Sequence, residues 1–111
     1  MSEENLREHR RVHVVWRAVF RPKGSTHNIR GKTSDLSIGG VAAYFESQLQ
    51  VGQLGTLYLE VVKHGVLNKQ FLEIECAVVY STLVGHINAF RTGIKFKAVN
   101  PEFVTILNKL M

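Results

Sequence analysis

A chain of 111 residues is long enough to bury one hydrophobic core and too short for two domains of ordinary size. With 45% hydrophobic and 21% charged residues it has a globular composition, and its apolar runs are too short for a transmembrane helix. Residues 1–11 are polar and charged, so no secretory signal is visible and we expect a cytoplasmic protein. The single cysteine, Cys76, excludes an intramolecular disulfide and predicts a buried, inert thiol.

Positive charge is concentrated in the first third of the chain. Eight basic residues and one acidic residue, Glu8, lie between Arg7 and Lys32, although the formal net charge of the whole chain is only +5. A region of this sign attracts anions, whether the anion is a phosphate, a nucleic acid or an acidic protein surface. The charge therefore predicts that a partner would be negatively charged, and it does not identify that partner.

The first element in chain order is a polar tail, residues 1–11, which has no apolar periodicity and only one sizeable apolar residue after the initiator, Leu6. We expect this tail to be mobile and to become ordered when it contacts an anionic ligand. Arg7 and Arg11 are four residues apart, so in a turn they can bring two guanidinium groups to one ligand. A solvated basic tail without a ligand is the alternative that these residues leave open.

Hydrophobic residues at every second position predict six β-strands in the remainder of the chain, residues 12–111. In the first strand, Val14, Trp16 and Phe20 fall on one face, which we predict to be the core face. The predicted strands cover residues 12–21, 29–36, 41–45, 54–62, 70–81 and 90–97, with turn residues between them. Strands of this number and length indicate a mainly β domain.

A short helix is predicted at the end of the chain. Asn100 and Pro101 favour a helix start, because asparagine is a good N-cap and proline is tolerated in the first turn. An apolar stripe follows, formed by Phe103, Ile106, Leu107 and Leu110. Several antiparallel strands and one terminal helix favour a small closed barrel, because closure leaves no exposed sheet edge.

Residues 33–40 combine a carboxylate, hydroxyl groups, apolar side chains and a pair of glycines. Alternation puts Asp35 and Ser37 on one face of an extended segment and the intervening apolar residues on the other. Gly39-Gly40 then allows a tight turn or a close approach of another chain or molecule. A turn between two strands explains most stretches of this kind, and a ligand site is the alternative.

Several classes of chemistry lack the residues that they need. The five histidines lie in different predicted elements and Cys76 has no cysteine partner, so we expect no metal site. Asp35 has no acidic neighbour, and neither a nucleophile elbow nor a phosphate-cradling loop is present, so we expect no enzyme and no cofactor. Nucleic-acid binding by stacked aromatics is disfavoured, because Trp16 and Phe20 fall on the predicted core face.

Two spaced motifs resemble those of the PilZ domain family. The first is a pair of arginines separated by three residues, which residues 7–11 provide. The second is Asp or Asn, one residue, Ser, two residues and Gly, which Asp35, Ser37 and Gly40 match in full. Residues 93–96, just before the predicted helix, are similar to the last strand of the family. The resemblance therefore spans nearly the whole chain.

The resemblance implies a six-stranded antiparallel PilZ-type barrel that binds cyclic di-GMP, a bacterial second messenger. On the family's pattern, Arg7 and Arg11 bind the ligand, because a guanidinium can fork onto a guanine edge, pair with phosphate or lie over a purine. Asp35 would accept hydrogen bonds from guanine N1 and N2, with Ser37 bonding beside it. Gly40 would leave room for the ligand against the barrel wall.

Two further residues of the tail bear on the ligand. Arg10 is an additional cation inside the first motif and is placed either to contact a phosphate or to face water. Leu6 stands where family members that hold a stacked ligand dimer often have an arginine. Leucine at this position favours one ligand molecule per site.

The function that the resemblance implies is that of a monomeric adaptor. The ligand would bridge the tail, residues 1–11, to the barrel, residues 12–111, and create a surface that regulates a partner protein in motility, adhesion, biofilm formation or polymer secretion. The alternative is a nucleotide-independent interaction module that binds an acidic protein or a nucleic acid through the basic first third of the chain.

Overall fold

The computed structural model describes residues 11–62, 70–98 and 100–110. Within them the chain forms six strands and one helix: β1 (Arg17–Pro22), β2 (Ile29–Ser37), β3 (Gly40–Phe45), β4 (Leu54–Val61), β5 (Gln70–Val84), β6 (Ala89–Phe96) and α1 (Pro101–Leu110). The predicted tail lies outside the described residues apart from Arg11, so its mobility and its ordering by a ligand stay predictions.

The six strands close into a barrel in the order β1-β2-β3-β6-β5-β4, and every neighbouring pair is antiparallel. Each strand therefore has a partner on both sides, which removes the unpaired edges of an open sheet. The predicted fold class, a mainly β six-stranded barrel with a C-terminal helix, is confirmed. None of the described residues belongs to a helix with the length and hydrophobicity that a membrane crossing requires.

The barrel interior is filled by the side chains that the strands turn inward. Phe20, Phe45, Leu57 and Leu59 have no exposed surface, and Trp16 and Ala18 are also buried, as the alternation in the first predicted strand indicates. Burial of one such large apolar side chain contributes about 1.5–3 kcal/mol, so this interior is the main source of stability.

Helix α1 begins where the sequence predicts. The side-chain oxygen of Asn100 accepts a hydrogen bond from the backbone N–H of Phe103 at 3.0 Å, which is an N-cap interaction. Phe103, Ile106 and Leu107 are buried in the core, and the ring of Phe103 contacts that of Phe96 edge to face at a centroid distance of 5.3 Å. Leu110, predicted as the fourth residue of the stripe, is 39% exposed.

The first strand is shorter than predicted, because it begins at Arg17 and not at Val12. Val12 makes only an isolated bridge to Leu36, and the next backbone–backbone hydrogen bond between these two segments runs from Thr33 N to Trp16 O, at 2.9 Å. Three residues between Val12 and Trp16 therefore face two residues between Thr33 and Leu36, and the regular pairing of the two segments is interrupted. The other predicted strand ends differ from the observed ends by up to three residues.

Two β-bulges change which face the side chains occupy. In β2, Thr33 pairs with Ala43 and Asp35 pairs with Ala42, so one extra residue is inserted between them. An inserted residue reverses the alternation beyond it. Thr33 and Leu36 consequently both point into the barrel, and Asp35 lies on the opposite face of β2, where it is also largely buried, at 7% exposure.

The second bulge lies in β5, where Val78 pairs with Ile94 and Tyr80 pairs with Gly93. Val78 is buried in the core, whereas Tyr80 is 38% exposed. Without the extra residue, simple alternation would turn Tyr80 inward together with Val78. The bulge thus places an aromatic ring on the outside of the barrel.

Candidate ligand-binding site

Arg11 and Asp35 form an ion pair on the outside of the barrel. Nη1 of Arg11 donates to Oδ1 of Asp35 at 3.0 Å, and the two side chains are 39% and 10% exposed. Val12 and Leu36 exchange two backbone hydrogen bonds of 2.8 Å, which hold the residue before Val12 beside the end of β2. The structure therefore brings one arginine of the first motif to the aspartate of the second.

The second half of the motif forms a tight hairpin. Ser37 is the last residue of β2 and pairs with Gly40, the first residue of β3, and the Ser37 hydroxyl donates to the Gly40 carbonyl at 3.3 Å. The prediction of a turn at this point is confirmed. The turn does not explain the ion pair of Asp35, because its partner Arg11 lies outside the hairpin.

Glycine at position 40 has a packing reason. A Cβ at Gly40 would collide with the backbone carbonyl oxygen of Ile94, because β6 passes very close to β3 at this point. The prediction that Gly40 leaves room for a ligand does not account for that contact. A ligand contact at Gly40 stays a prediction.

The predicted site residues are brought together as far as the structure describes them. Arg11, Asp35, Ser37 and Gly40 lie close together around the end of β2 and the start of β3. Arg7 and Arg10 lie outside the described residues, so their part in the site stays a prediction.

Cross-strand pairing adds residues that the motifs do not contain. Outward-facing residues form three rows across β2, β3, β6 and β5, a surface that we call the four-strand face. The rows are Lys32–Tyr44–Arg91–Thr82, Asp35–Ala42–Gly93–Tyr80 and Ser37–Gly40–Lys95–Ala77. The middle row starts at the motif aspartate and ends at an exposed aromatic ring. Nothing in the sequence signals this, because the four residues of that row lie far apart along the chain.

Arg91 links the first two rows electrostatically. A side-chain hydrogen bond with Tyr80 is the main cause that raises the pKa of Arg91 above its ordinary value, with smaller contributions from Tyr44 and from the charge of Asp35. Arg91 is therefore a permanent cation that shares its surroundings with two tyrosines and the motif carboxylate.

Cys76 takes no part in this surface. It faces the barrel interior, its thiol contacts the carbonyl oxygen of Gly55 at 3.6 Å, and burial raises the pKa of the thiol to about 12. A thiol that stays protonated is a poor nucleophile and a poor metal ligand. The predicted burial of Cys76 is confirmed.

The family model of the PilZ domain matches residues 5–111. The chain belongs to the PilZ domain family. PilZ domains form a family of cyclic di-GMP receptors and are non-catalytic. The prediction that the chain is not an enzyme agrees with this family. No curated protein matches the chain in sequence.

Solved structures show the same PilZ fold. The Bacillus subtilis inhibitor of motility, MotI/DgrA, aligns with a TM-score of 0.71 at 16% identity over 90% of this chain and 46% of its own. The PilZ domain of YcgR from Escherichia coli, solved with c-di-GMP, aligns with a TM-score of 0.64 at 17% identity over 92% and 83%. The PilZ domain of CeSA from a cellulose synthesizing bacterium gives 0.59 at 16% identity over 91% and 94%. This PilZ domain thus spans about half the length of MotI/DgrA.

Proposed function

We propose that this PilZ domain binds cyclic di-GMP at the Arg11–Asp35 pair and passes the signal to a partner protein. The observation that carries the proposal is the contact itself, in which a cation from the first motif lies 3.0 Å from the carboxylate of the second. A guanine has donors at N1 and N2 that suit a carboxylate, and it has O6 and N7 acceptors that suit a guanidinium. One ligand can therefore occupy both side chains.

Binding would exchange partners and leave neither charge unpaired. Asp35 would accept from the guanine in place of Arg11, and Arg11 would turn its guanidinium to the guanine edge or to a phosphate. Because the Asp35 side chain is only 10% exposed, opening the pair without a replacement would be costly, so the guanine donors must take the place of Arg11. Among the described residues, only Arg11 bonds to the Asp35 carboxylate, which leaves it free to change partner.

The tail supplies the remaining cations in this proposal. Arg7 and Arg10 would add charge around the two phosphates, and the ligand would bridge the tail to the barrel. The surface formed by the ordered tail would then contact a partner protein. Support comes from the relatives by analogy: MotI/DgrA is described as an inhibitor of motility, and the YcgR domain was solved with c-di-GMP. Motility is accordingly our first candidate for the regulated process.

Calorimetry with cyclic di-GMP on the full chain tests the proposal. We expect saturable binding that Arg11→Ala and Asp35→Ala each weaken by about tenfold to a hundredfold, because a good bidentate contact discriminates by roughly 1–3 kcal/mol. Arg21→Ala is the matched control, because Arg21 lies over the ring of Tyr58 at 5.3 Å, away from the site. GMP and cyclic AMP should not compete. A flat titration with folded protein would contradict the proposal.

A basic cleft supports the second candidate, a nucleotide-independent interaction module. Three cations, Arg17, Arg30 and Lys32, line a cleft of about 490 Å³ on the outside of β1, β2, β4 and β5, together with one acidic residue, Glu60, and the rings of Tyr58 and Phe71. The excess of positive charge suits an acidic segment of a partner protein. Arg30→Ala should weaken capture of a poly-glutamate peptide if this candidate is correct, and should leave cyclic di-GMP binding unchanged if the first one is.

A further inference from the structure

The outer surface of β2, β1, β4 and β5 faces away from the proposed ligand site. In the barrel order, β1 and β4 lie opposite β6 and β3, the two central strands of the four-strand face. We call this second surface the cleft face, because most of its residues line the cleft of about 490 Å³. Its middle row is Arg30–Val19–Tyr58–Glu73, flanked by the strand pairs Arg17–Lys32 and Glu60–Phe71.

Charge is divided between the two halves of the cleft face. Arg17, Arg30 and Lys32 are exposed on β1 and β2, whereas Glu60 and Glu73 lie on β4 and β5. An acidic segment that lies along β1 and β2 is attracted by the three cations, and the two glutamates repel it from the far half. The sequence positions of these charges are scattered, so only the strand pairing determines where the negative charge of a partner would lie.

An exposed aromatic ring stands at the β5 side of the cleft. Phe71 is 64% exposed, and Val19 and Tyr58 are half-buried in the middle row. Arg21 covers the ring of Tyr58 at a centroid distance of 5.3 Å, which leaves the ring of Phe71 open to a partner. Aromatic residues and arginines carry most of the binding energy in protein–protein interfaces. The cleft face combines both with a concave shape.

Other occupants fit the cleft face less well. A second copy of the chain carries the same net charge of +5 and would be repelled. A nucleic acid would bring phosphates close to Glu60 and Glu73 and would find one open ring on which to stack. A membrane surface cannot enter a concave cleft, and the two glutamates would repel anionic lipids. An extended protein segment can place its charge and its apolar side chain separately.

We propose that the cleft face is a permanent docking site for an acidic, extended segment of a partner protein, and that one large apolar side chain of this segment packs against Phe71. The inference adds an apolar anchor to the charge attraction of the second candidate above and makes it compatible with the first candidate. It goes beyond cyclic di-GMP binding and does not depend on it. The partner can stay docked on β1, β2, β4 and β5 while the ligand binds on the opposite side.

Titration of the full chain with labelled peptides, followed by fluorescence anisotropy, tests the docking site. A peptide of glutamates with one central tryptophan should bind saturably. Replacing the tryptophan by glutamate should weaken binding about tenfold, because the apolar contact with Phe71 is lost. Replacing the glutamates by glutamines should abolish binding. Raising the salt concentration should weaken binding, since the Debye length falls from about 10 Å at 0.1 M to about 3 Å at 1 M.

Matched variants locate the binding of the peptide that contains tryptophan. Phe71→Ser should weaken it about tenfold, and Phe71→Trp should restore it. Leu83→Ser, which removes an exposed apolar side chain at the other end of β5, is the control and should change nothing. Arg30→Gln should weaken binding about twofold to fivefold, whereas Lys95→Gln, with the same loss of charge on β6, should not.

The results also distinguish this inference from the proposed function. Equal binding of both glutamate peptides, or full binding by a Phe71→Ser variant with an unchanged unfolding temperature, overturns the inference. Tighter binding of a poly-thymidine strand or of phosphatidylserine vesicles to the same residues overturns the choice of a protein segment. Loss of peptide binding at saturating cyclic di-GMP overturns the permanent docking. If cyclic di-GMP itself does not bind, the proposed function is wrong and the peptide titrations still decide the inference.

Discussion

At the scale of single residues, two glycines of the barrel are required because atoms of neighbouring strands occupy the space of a Cβ. Gly40 matches the family motif, yet its contact in this structure is with the Ile94 carbonyl of β6. Gly93 similarly makes room for the Tyr80 ring. A motif residue can therefore be required by the fold of the site before any ligand arrives.

Gly40→Ala should destabilise the fold. The added methyl group must displace backbone in β6, and overpacking of this kind costs about 1–3 kcal/mol. Gly85→Ala is the matched control, because a Cβ at Gly85 meets nothing within 4 Å and its stability should be unchanged or slightly higher. Urea denaturation of both variants measures the difference. Equal midpoints for the two variants would contradict the packing explanation of Gly40.

At the scale of elements, the site depends on a segment that is not a regular strand. Residues 12–16 position Arg11 beside Asp35, and Thr33 of β2 fixes this segment by two hydrogen bonds. Its hydroxyl accepts from Trp16 N at 2.8 Å and donates to Val14 O at 2.6 Å, while the side chain itself is buried. One threonine thus satisfies two backbone groups that the interrupted ladder leaves without a strand partner.

Thr33→Val should weaken both the fold and the ligand site. The variant has nearly the same shape but leaves the Trp16 amide and the Val14 carbonyl without their partner, at a cost of about 1–3 kcal/mol. We expect a lower urea midpoint and faster amide exchange at residues 12–16. Thr105→Val, whose exposed hydroxyl bonds to Pro101 O, is the control and should change little. Faster exchange spread evenly over all strands would argue against a local role for Thr33.

At the scale of the whole molecule, the described strands form a closed barrel, and completion of the site by the tail stays a prediction. The described strands pair on both sides, so a large rearrangement of the barrel would break paired strands. The proposed response to the ligand is consequently an ordering of the basic tail against the four-strand face, in which the barrel itself changes little.

The ordering of the tail can be measured by amide hydrogen exchange. At saturating cyclic di-GMP we expect slower exchange at residues 5–12, because the bound ligand holds the tail against the barrel. The turn at residues 85–88, which joins β5 to β6, provides an internal control and should not change. Unchanged exchange at residues 5–12 with the ligand fully bound would contradict the tail-ordering model while leaving ligand binding itself intact.

Much of this architecture could be read from the sequence, because its signals are local. Alternation over a few residues identified the six strands and the buried face that holds Trp16 and Phe20, and the Asn100-Pro101 pair identified the start of the helix. The arginine pair, Arg7 and Arg11, followed by the spacing of residues 35–40 and a barrel-like remainder, indicated the family that the chain belongs to. None of these signals depends on contacts between distant parts of the chain.

The tertiary structure alone decided which side chains share the four-strand face. A bulge inserts one residue and reverses the alternation beyond it, so the exposure of Tyr80 and its place in the row of Asp35 depend on strand register. The early start predicted for the first strand was wrong for the same reason, since the ladder between residues 12–16 and β2 is interrupted. Periodicity is a property of a few neighbouring residues, whereas register is set by the packing of the whole barrel.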